Sequence, residues 1–286
     1  MNLRDLAASM PPPPIHAQLP DMVALPASLA LPIRSMAVTS AGCQCETSAA
    51  LAFNTRAHAE SAGPLLAFSG AAVNDRAHAA VDVSDIQPPW QFYGTFHTHV
   101  ASATSATITA QSVAGFANMI RRADGAKAVL VDPDARQTVG PLAYSSADVM
   151  TLVDALESMS FLFCLPDKLY LLIRAADSAP DIQALYRALL AGGFEAVYGK
   201  VLSQAFGLDD ENDVVDLDLD TMGDMLAPQC VPVSTLATVL AQHRIGFYAA
   251  EVDLSGITAE SFRSKAEADV VRTHAPIRMQ RCKPAN

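Results

Sequence analysis

Apolar residues in this chain gather in short, strand-length runs, and that pattern limits the folds open to it more than any other feature. CETSAALAF at 45–53, PLLAFSGAAV at 64–73, HAAVDV at 78–83 and QFYGTFHTHV at 91–100 follow one another, separated by polar, Gly or Asn-Asp breaks. Runs of about four to eight apolar or alternating residues bounded in this way read as β-strands, and their succession predicts an antiparallel meander. A longer apolar run, FLFCLPDKLYLLI at 161–173, is broken by Pro166, Asp167 and Lys168. It falls short of the roughly 18 to 20 uninterrupted apolar residues that a membrane-spanning helix needs. A soluble protein is expected.

Helical periodicity enters after the first strands. In TAQSVAGFANMIRRADG, which begins at Thr109, the residues Val113, Phe116, Ala117 and Ile120 recur at helical spacing and Gly125 supplies a stop. AKAVLVDP at 126–133 is a continuous apolar run ended by Pro133, predicted as a strand buried on both faces. Beyond residue 145 the pattern is mainly helical. Ser145 with Asp148 marks a helix start, followed by a stripe of Val149, Leu152, Val153 and Leu156. KLYLLIR at 168–174 predicts a strand, PDIQALYRALLA at 180–191 a helix ended by Gly192 and Gly193, and STLATVLAQHRIG at 234–246 a helix capped by Ser234. At the N-terminal end Pro11 to Pro14, Pro20, Pro26 and Pro32 predict an extended arm or a short helix around residues 21–31. The expected organisation is an α/β protein with a proline-rich arm (1–30), a compact α/β domain (31–145) and a helix-rich C-terminal domain or extension (146–286).

Charge narrows the partners. A net charge of −11 over 286 residues, with a pI near 4.9, repels nucleic-acid phosphates and anionic lipid. Aromatic residues, at 6%, are too few to build stacking platforms for bases. Neither nucleic acid nor membrane is expected; proteins, peptides or small uncharged molecules fit better. Five scattered cysteines point to reduced thiols rather than a disulfide framework. The N-terminus carries Asp5 and then a proline run where an export signal needs an apolar core, so a cytoplasmic location is expected. The acidic stretch LDDENDVVDLDLDTMGDM at 208–225 invites a calcium reading. Thr221 stands where an EF-hand needs Gly and Ala227 where it needs the closing Glu, so the stretch reads as a solvated or protein-docking surface.

The chemistry concentrates in GTFHTHV at 94–100. On an extended segment His97 and His99 project to the same side, because strand side chains alternate with period two. Catalytic zinc takes three protein ligands and keeps a fourth place for water, whose pKa it lowers to about 7. A nearby carboxylate then serves as proton acceptor. Glu46 is the candidate, since its strand-like segment can lie beside that of His97. Taken alone, the pair reads rather as one buried, hydrogen-bonded histidine and one exposed one.

CETSAALAF, GTFHTHV, TAQSVAGF and AKAVLVDP, taken together, resemble the JAMM/MPN family. Its pattern runs Glu, then Gly-x-x-His-Ser/Thr-His-Pro, then Ser-x-x-Asp opening a helix, then an apolar strand ending Asp-Pro. The resemblance covers roughly residues 31–145 and implies an MPN (JAMM)-like mixed β-sheet core with flanking helices. It implies a Zn²⁺-dependent isopeptidase or peptidase acting on a protein or peptide substrate, ubiquitin-like proteins among them. Carried over residue by residue, His97 and His99 become zinc ligands and Glu46 the general acid/base. Thr109 falls where the family has the serine that steadies the oxyanion, and Ser112 where it has the aspartate ligand. Ser112 and Val100, the latter at the usual proline, depart from the pattern, and a hydroxyl binds Zn²⁺ far more weakly than a carboxylate does. Two functions follow: a zinc hydrolase with a weakened third ligand, or a catalytically inactive MPN-like scaffold that binds partner proteins.

Overall fold

Burial on both faces is what the run around the two histidines achieves: seven consecutive residues, Phe92 to Thr98, are buried. The structure, a computed structural model, describes residues 19–56, 66–74, 80–100, 106–114, 130–155, 157–175, 178, 180–207, 230–255 and 276–284. It is a mixed α/β fold that divides into two compact units. The first comprises Met1–Ala103, Thr151–Ala179 and Leu240–Cys282, and the second Thr104–Met150, Pro180–Val239 and Lys283–Asn286.

The first unit holds an eight-stranded sheet. Its strands are β1 (Met22–Ala24), β2 (Thr47–Asn54), β3 (Leu66–Val73), β4 (Trp90–His99), β8 (Met159–Cys164), β9 (Lys168–Arg174), β11 (Ile245–Glu251) and β12 (Arg278–Arg281). They lie in the order β1-β12-β11-β9-β8-β4-β2-β3. β4 pairs antiparallel with β2 and parallel with β8; every other pairing in the sheet is antiparallel. Helix α1 (Ala27–Cys43) packs on β2, β3 and β4, placing Leu29, Ile33, Met36 and Ala37 in the core with Phe96 and Phe161. Phe68 closes that core with edge-to-face contacts to Phe96 at 5.5 Å and Phe161 at 5.9 Å between ring centroids.

The second unit contains β5 (Ala106–Thr109), α2 (Ala110–Val113), β6 (Arg136–Val139), β7 (Leu142–Ser145), α4 (Ile182–Phe194), α5 (Lys200–Phe206) and β10 (Cys230–Pro232). Its core joins Val113 and Val139 to Leu190, Phe194, Val201 and Phe206. Helices α3 (Ser146–Asp154) and α6 (Val233–Gln242) are unbroken elements that begin in this unit and end in the first.

Several expectations need correction. Residues 21–31 are neither an extended arm nor a short helix, and residues 1–18 lie outside the described residues. Residues 22–24 pair with β12, and α1 runs through Pro32 for seventeen residues. An interior proline costs about 3 kcal/mol, which the buried stripe from Leu29 to Ala37 offsets. Residues 80–83 and 130–133 form no strand, and the rest of HAAVDV and AKAVLVDP lies outside the described residues. Gly192 and Gly193 do not end their helix; it continues through a π-helical turn, Glu195–Gly199, into α5. A side chain at Gly192 would put its Cβ 3.0 Å from Thr235 Cγ2, so this glycine serves close packing against α6. Among the described residues the region after residue 146 has more helix than strand, and it also supplies β8, β9, β11 and β12 to the eight-stranded sheet. Its helix at 234–246 stops at Gln242, and Arg244, at φ 57°, turns the chain into β11. The acidic stretch at 208–225 lies outside the described residues. Among the described residues no helix is long and apolar enough to cross a membrane, and Cys43, Cys45, Cys164 and Cys282 form no disulfide.

Candidate metal centre

A register irregularity sets which way the histidines face. Between Leu51 and Ala52 of β2 the pairing slips by one residue against β4, from Leu51–Gly94 to Ala52–Phe92. Such a bulge shifts the phase of side-chain alternation. Tyr93 and Phe96 therefore both enter the α1 core, and Thr95, His97 and His99 turn to the opposite face. The two imidazoles stand on one side with ring centroids 5.0 Å apart and planes at 60°. His97 is buried and His99 half-buried. Thr98, between them, points the other way and pins the strand: its hydroxyl donates to Ser40 Oγ at 2.8 Å and accepts from the Thr47 backbone N–H at 2.8 Å.

Glu46 enters through the same ladder. Ser48 is paired with His97, and continuing the antiparallel register by two residues brings Glu46 opposite His99 on the histidine face. Its side chain is buried, and its carbonyl accepts from the Asn74 N–H at 2.7 Å.

The third donor comes from α3. Ser145 caps this helix, donating its backbone N–H and its hydroxyl to Asp148 Oδ2, each at 2.8 Å, while the Asp148 N–H returns to Ser145 Oγ at 3.2 Å. This is a reciprocal capping box. The helix is tied to the sheet at its far end, where Glu157 N–H bonds Leu152 O and Ser158 N–H bonds Tyr93 O, both at 2.9 Å, before the chain enters β8 alongside β4. One ligand atom from each of His97, His99 and Asp148 lies within 4.8 Å of the other two. Donors around a tetrahedral zinc are about 3.3 Å apart when bonds are about 2.0–2.1 Å long, so modest side-chain rotation closes the group on an ion. Two imidazoles and one carboxylate are a donor set that suits zinc and leaves one position open. The group can hold a metal ion.

Thr109 and Ser112 do something else in the structure. Ser112 is in the first turn of α2 and its N–H bonds Thr109 Oγ1 at 3.3 Å, while the Thr109 N–H bonds Ser112 Oγ at 3.4 Å. They form a capping box of their own.

Behind the histidines stands a buried carboxylate. Glu157 is 1% exposed, and its Oε2 accepts from Thr95 Oγ1 at 2.9 Å. Burial pushes its carboxyl up to about 7, against smaller opposing effects of the Thr95 hydrogen bond and of the charge on His97.

No known protein-family model, curated protein or solved structure matches this chain. The site has to be read from its own residues. Asp148, which the residue-by-residue assignment does not include, has a signal in the sequence: Ser145 and Asp148 spell Ser-x-x-Asp at a helix start. Glu157 had no comparable signal, being one acidic residue between two apolar runs.

Proposed function

We propose that this chain is a zinc-dependent hydrolase of the JAMM type, acting on a peptide or isopeptide bond. The convergence of His97, His99 and Asp148 carries the reading. The order along the chain supports it: a glutamate immediately before β2, His-x-His at the end of β4, Ser-x-x-Asp opening α3, then the apolar strand β8. When bound, zinc supplies Lewis acidity and a water of lowered pKa at its open position.

The protein's own groups do the rest. Glu46, buried opposite His99, accepts the proton of the attacking water and delivers it to the leaving amine. Ser145, held by Asp148, takes the part of the family's serine in place of Thr109. At the end of β4 a groove of about 470 Å³ is lined by Val38, Ala41, Gln44, Val100, Leu165 and Pro166, and the Leu165 N–H bonds His99 O at 3.2 Å. This apolar groove is on the α1 side of β4, and the substrate class, a protein or peptide, ubiquitin-like or otherwise, rests on the family resemblance. Free thiols agree with a reducing compartment such as the cytoplasm.

The test is metal analysis of the full chain purified without added zinc, alongside hydrolysis of a fluorogenic peptide library and an isopeptide-linked ubiquitin dimer. About one equivalent of zinc is expected in the wild type and none in His97→Ala or Asp148→Ala. Glu46→Gln is expected to keep the metal and to lose any hydrolysis. Absence of zinc from the wild type defeats the reading. Zinc without hydrolysis of either probe turns it to the scaffold.

A further inference from the structure

We infer that Glu157 is a positioning residue of this metal centre, a water-excluded carboxylate that acts on the ion through His97; the inference rests on the zinc reading above. Only one of its oxygens is satisfied by the protein. Oε2 accepts from Thr95, while Oε1 is buried with no hydrogen-bond partner. A half-satisfied buried carboxylate costs a fold several kcal/mol, and such a group persists where function requires it. Glutamine or an apolar residue would serve a purely structural position better.

Its placement gives the function. Thr95 precedes His97 by two residues on the same face of β4, about 7 Å along the strand. Glu157, bonded to Thr95 on that face, interacts electrostatically with His97. Its backbone is fixed on both sides, by Leu152 O to its own N–H and by Tyr93 O to the N–H of Ser158. It joins the helix that carries Asp148 to the strand paired with β4. A buried negative charge near a ligating histidine raises the basicity of the ring and so strengthens its bond to the ion. The charge balance points the same way. With two neutral imidazoles, the ion's two charges have to be offset by carboxylates, and Glu157 adds to Asp148 and Glu46 a negative charge that does not fill the open position.

The experiment measures zinc affinity of the full chain by competition with a chromophoric chelator, together with thermal melting of the metal-free protein at pH 8. Glu157→Gln is expected to bind zinc about 10- to 100-fold more weakly than wild type, and to melt at or above the wild-type temperature when metal-free. Affinity within twofold of wild type, or a lower metal-free melting temperature without weaker binding, overturns the inference and assigns Glu157 a structural role. Wild-type protein that binds no zinc overturns the zinc reading itself, a result distinct from wild-type binding that survives Glu157→Gln. Should Glu157→Gln fail to fold, Thr95→Val, which keeps the charge and removes the bond that holds it, is expected to weaken zinc binding about threefold. Unchanged affinity in that variant overturns the inference.

Discussion

Ser145 gives both its backbone N–H and its hydroxyl to a single oxygen of Asp148, Oδ2, at 2.8 Å each. One interaction thus starts α3 and orients the third metal donor. Removing the hydroxyl separates the two roles. Ser145→Ala is expected to lower stability by about 1 kcal/mol, the usual worth of an N-cap, and to weaken zinc binding while leaving it measurable. Asp148→Ala abolishes binding. Urea unfolding and zinc titration of the two variants check this; equal zinc loss in both would remove the distinction between cap and ligand.

Glu157 makes stability depend on pH in a stated direction. Its carboxyl, at about 7 in the folded chain against an ordinary 4.5, binds a proton more tightly folded than unfolded. The resulting stabilisation is complete below about pH 4.5 and is lost as pH rises through about 7. Its full size is on the order of 3 kcal/mol. In metal-free protein, Glu157→Gln is expected to match wild type near pH 5 and to exceed it in stability at pH 8. Urea midpoints of both proteins across that range decide it, and parallel pH profiles would refute the assignment.

The fold was legible where local pattern and tertiary packing agree. KLYLLIR is β9 to the residue, QFYGTFHTHV is β4, and the stripe from Val149 to Val153 is α3. It was illegible where packing overrode a local signal. Pro32 reads as a helix breaker, yet α1 passes through it, and Gly192 reads as a stop although it is a contact surface for Thr235. His97 and His99 could be placed on one face from their spacing alone. Asp148 reads in the sequence only as part of a helix start with Ser145, and nothing local places it beside histidines some fifty positions earlier. Glu157 acquires meaning only from its hydrogen bond to Thr95, a contact across 62 positions.

Gly94, the first residue of the His-x-His segment, is required by the neighbouring strand rather than by a turn. A Cβ there would lie 1.8 Å from the carbonyl oxygen of Met159, its parallel partner on β8. Both atoms are fixed in the ladder, so no rotamer change relieves the clash. Gly94→Ala is expected to destabilise by more than about 3 kcal/mol and to take zinc binding with it, since His97 is on the same strand. Circular dichroism melting and metal content report both. A folded, zinc-loaded Gly94→Ala protein would contradict the β4–β8 pairing.

Ser112→Asp discriminates between the two assignments of the third ligand. If position 112 belonged to the metal shell, a carboxylate there would tighten zinc binding and would restore it in Asp148→Ala. With Asp148 as the donor, the shell has its three protein ligands, and Ser112 belongs to a cap with Thr109. The expected outcome is unchanged zinc affinity for Ser112→Asp and no rescue in the Ser112→Asp/Asp148→Ala double variant. Thr109→Ala, which removes the other half of that cap, is expected to cost about 1 kcal/mol of stability with zinc affinity intact. Chelator competition on these variants measures each effect, and rescue in the double variant would return the ligand to position 112.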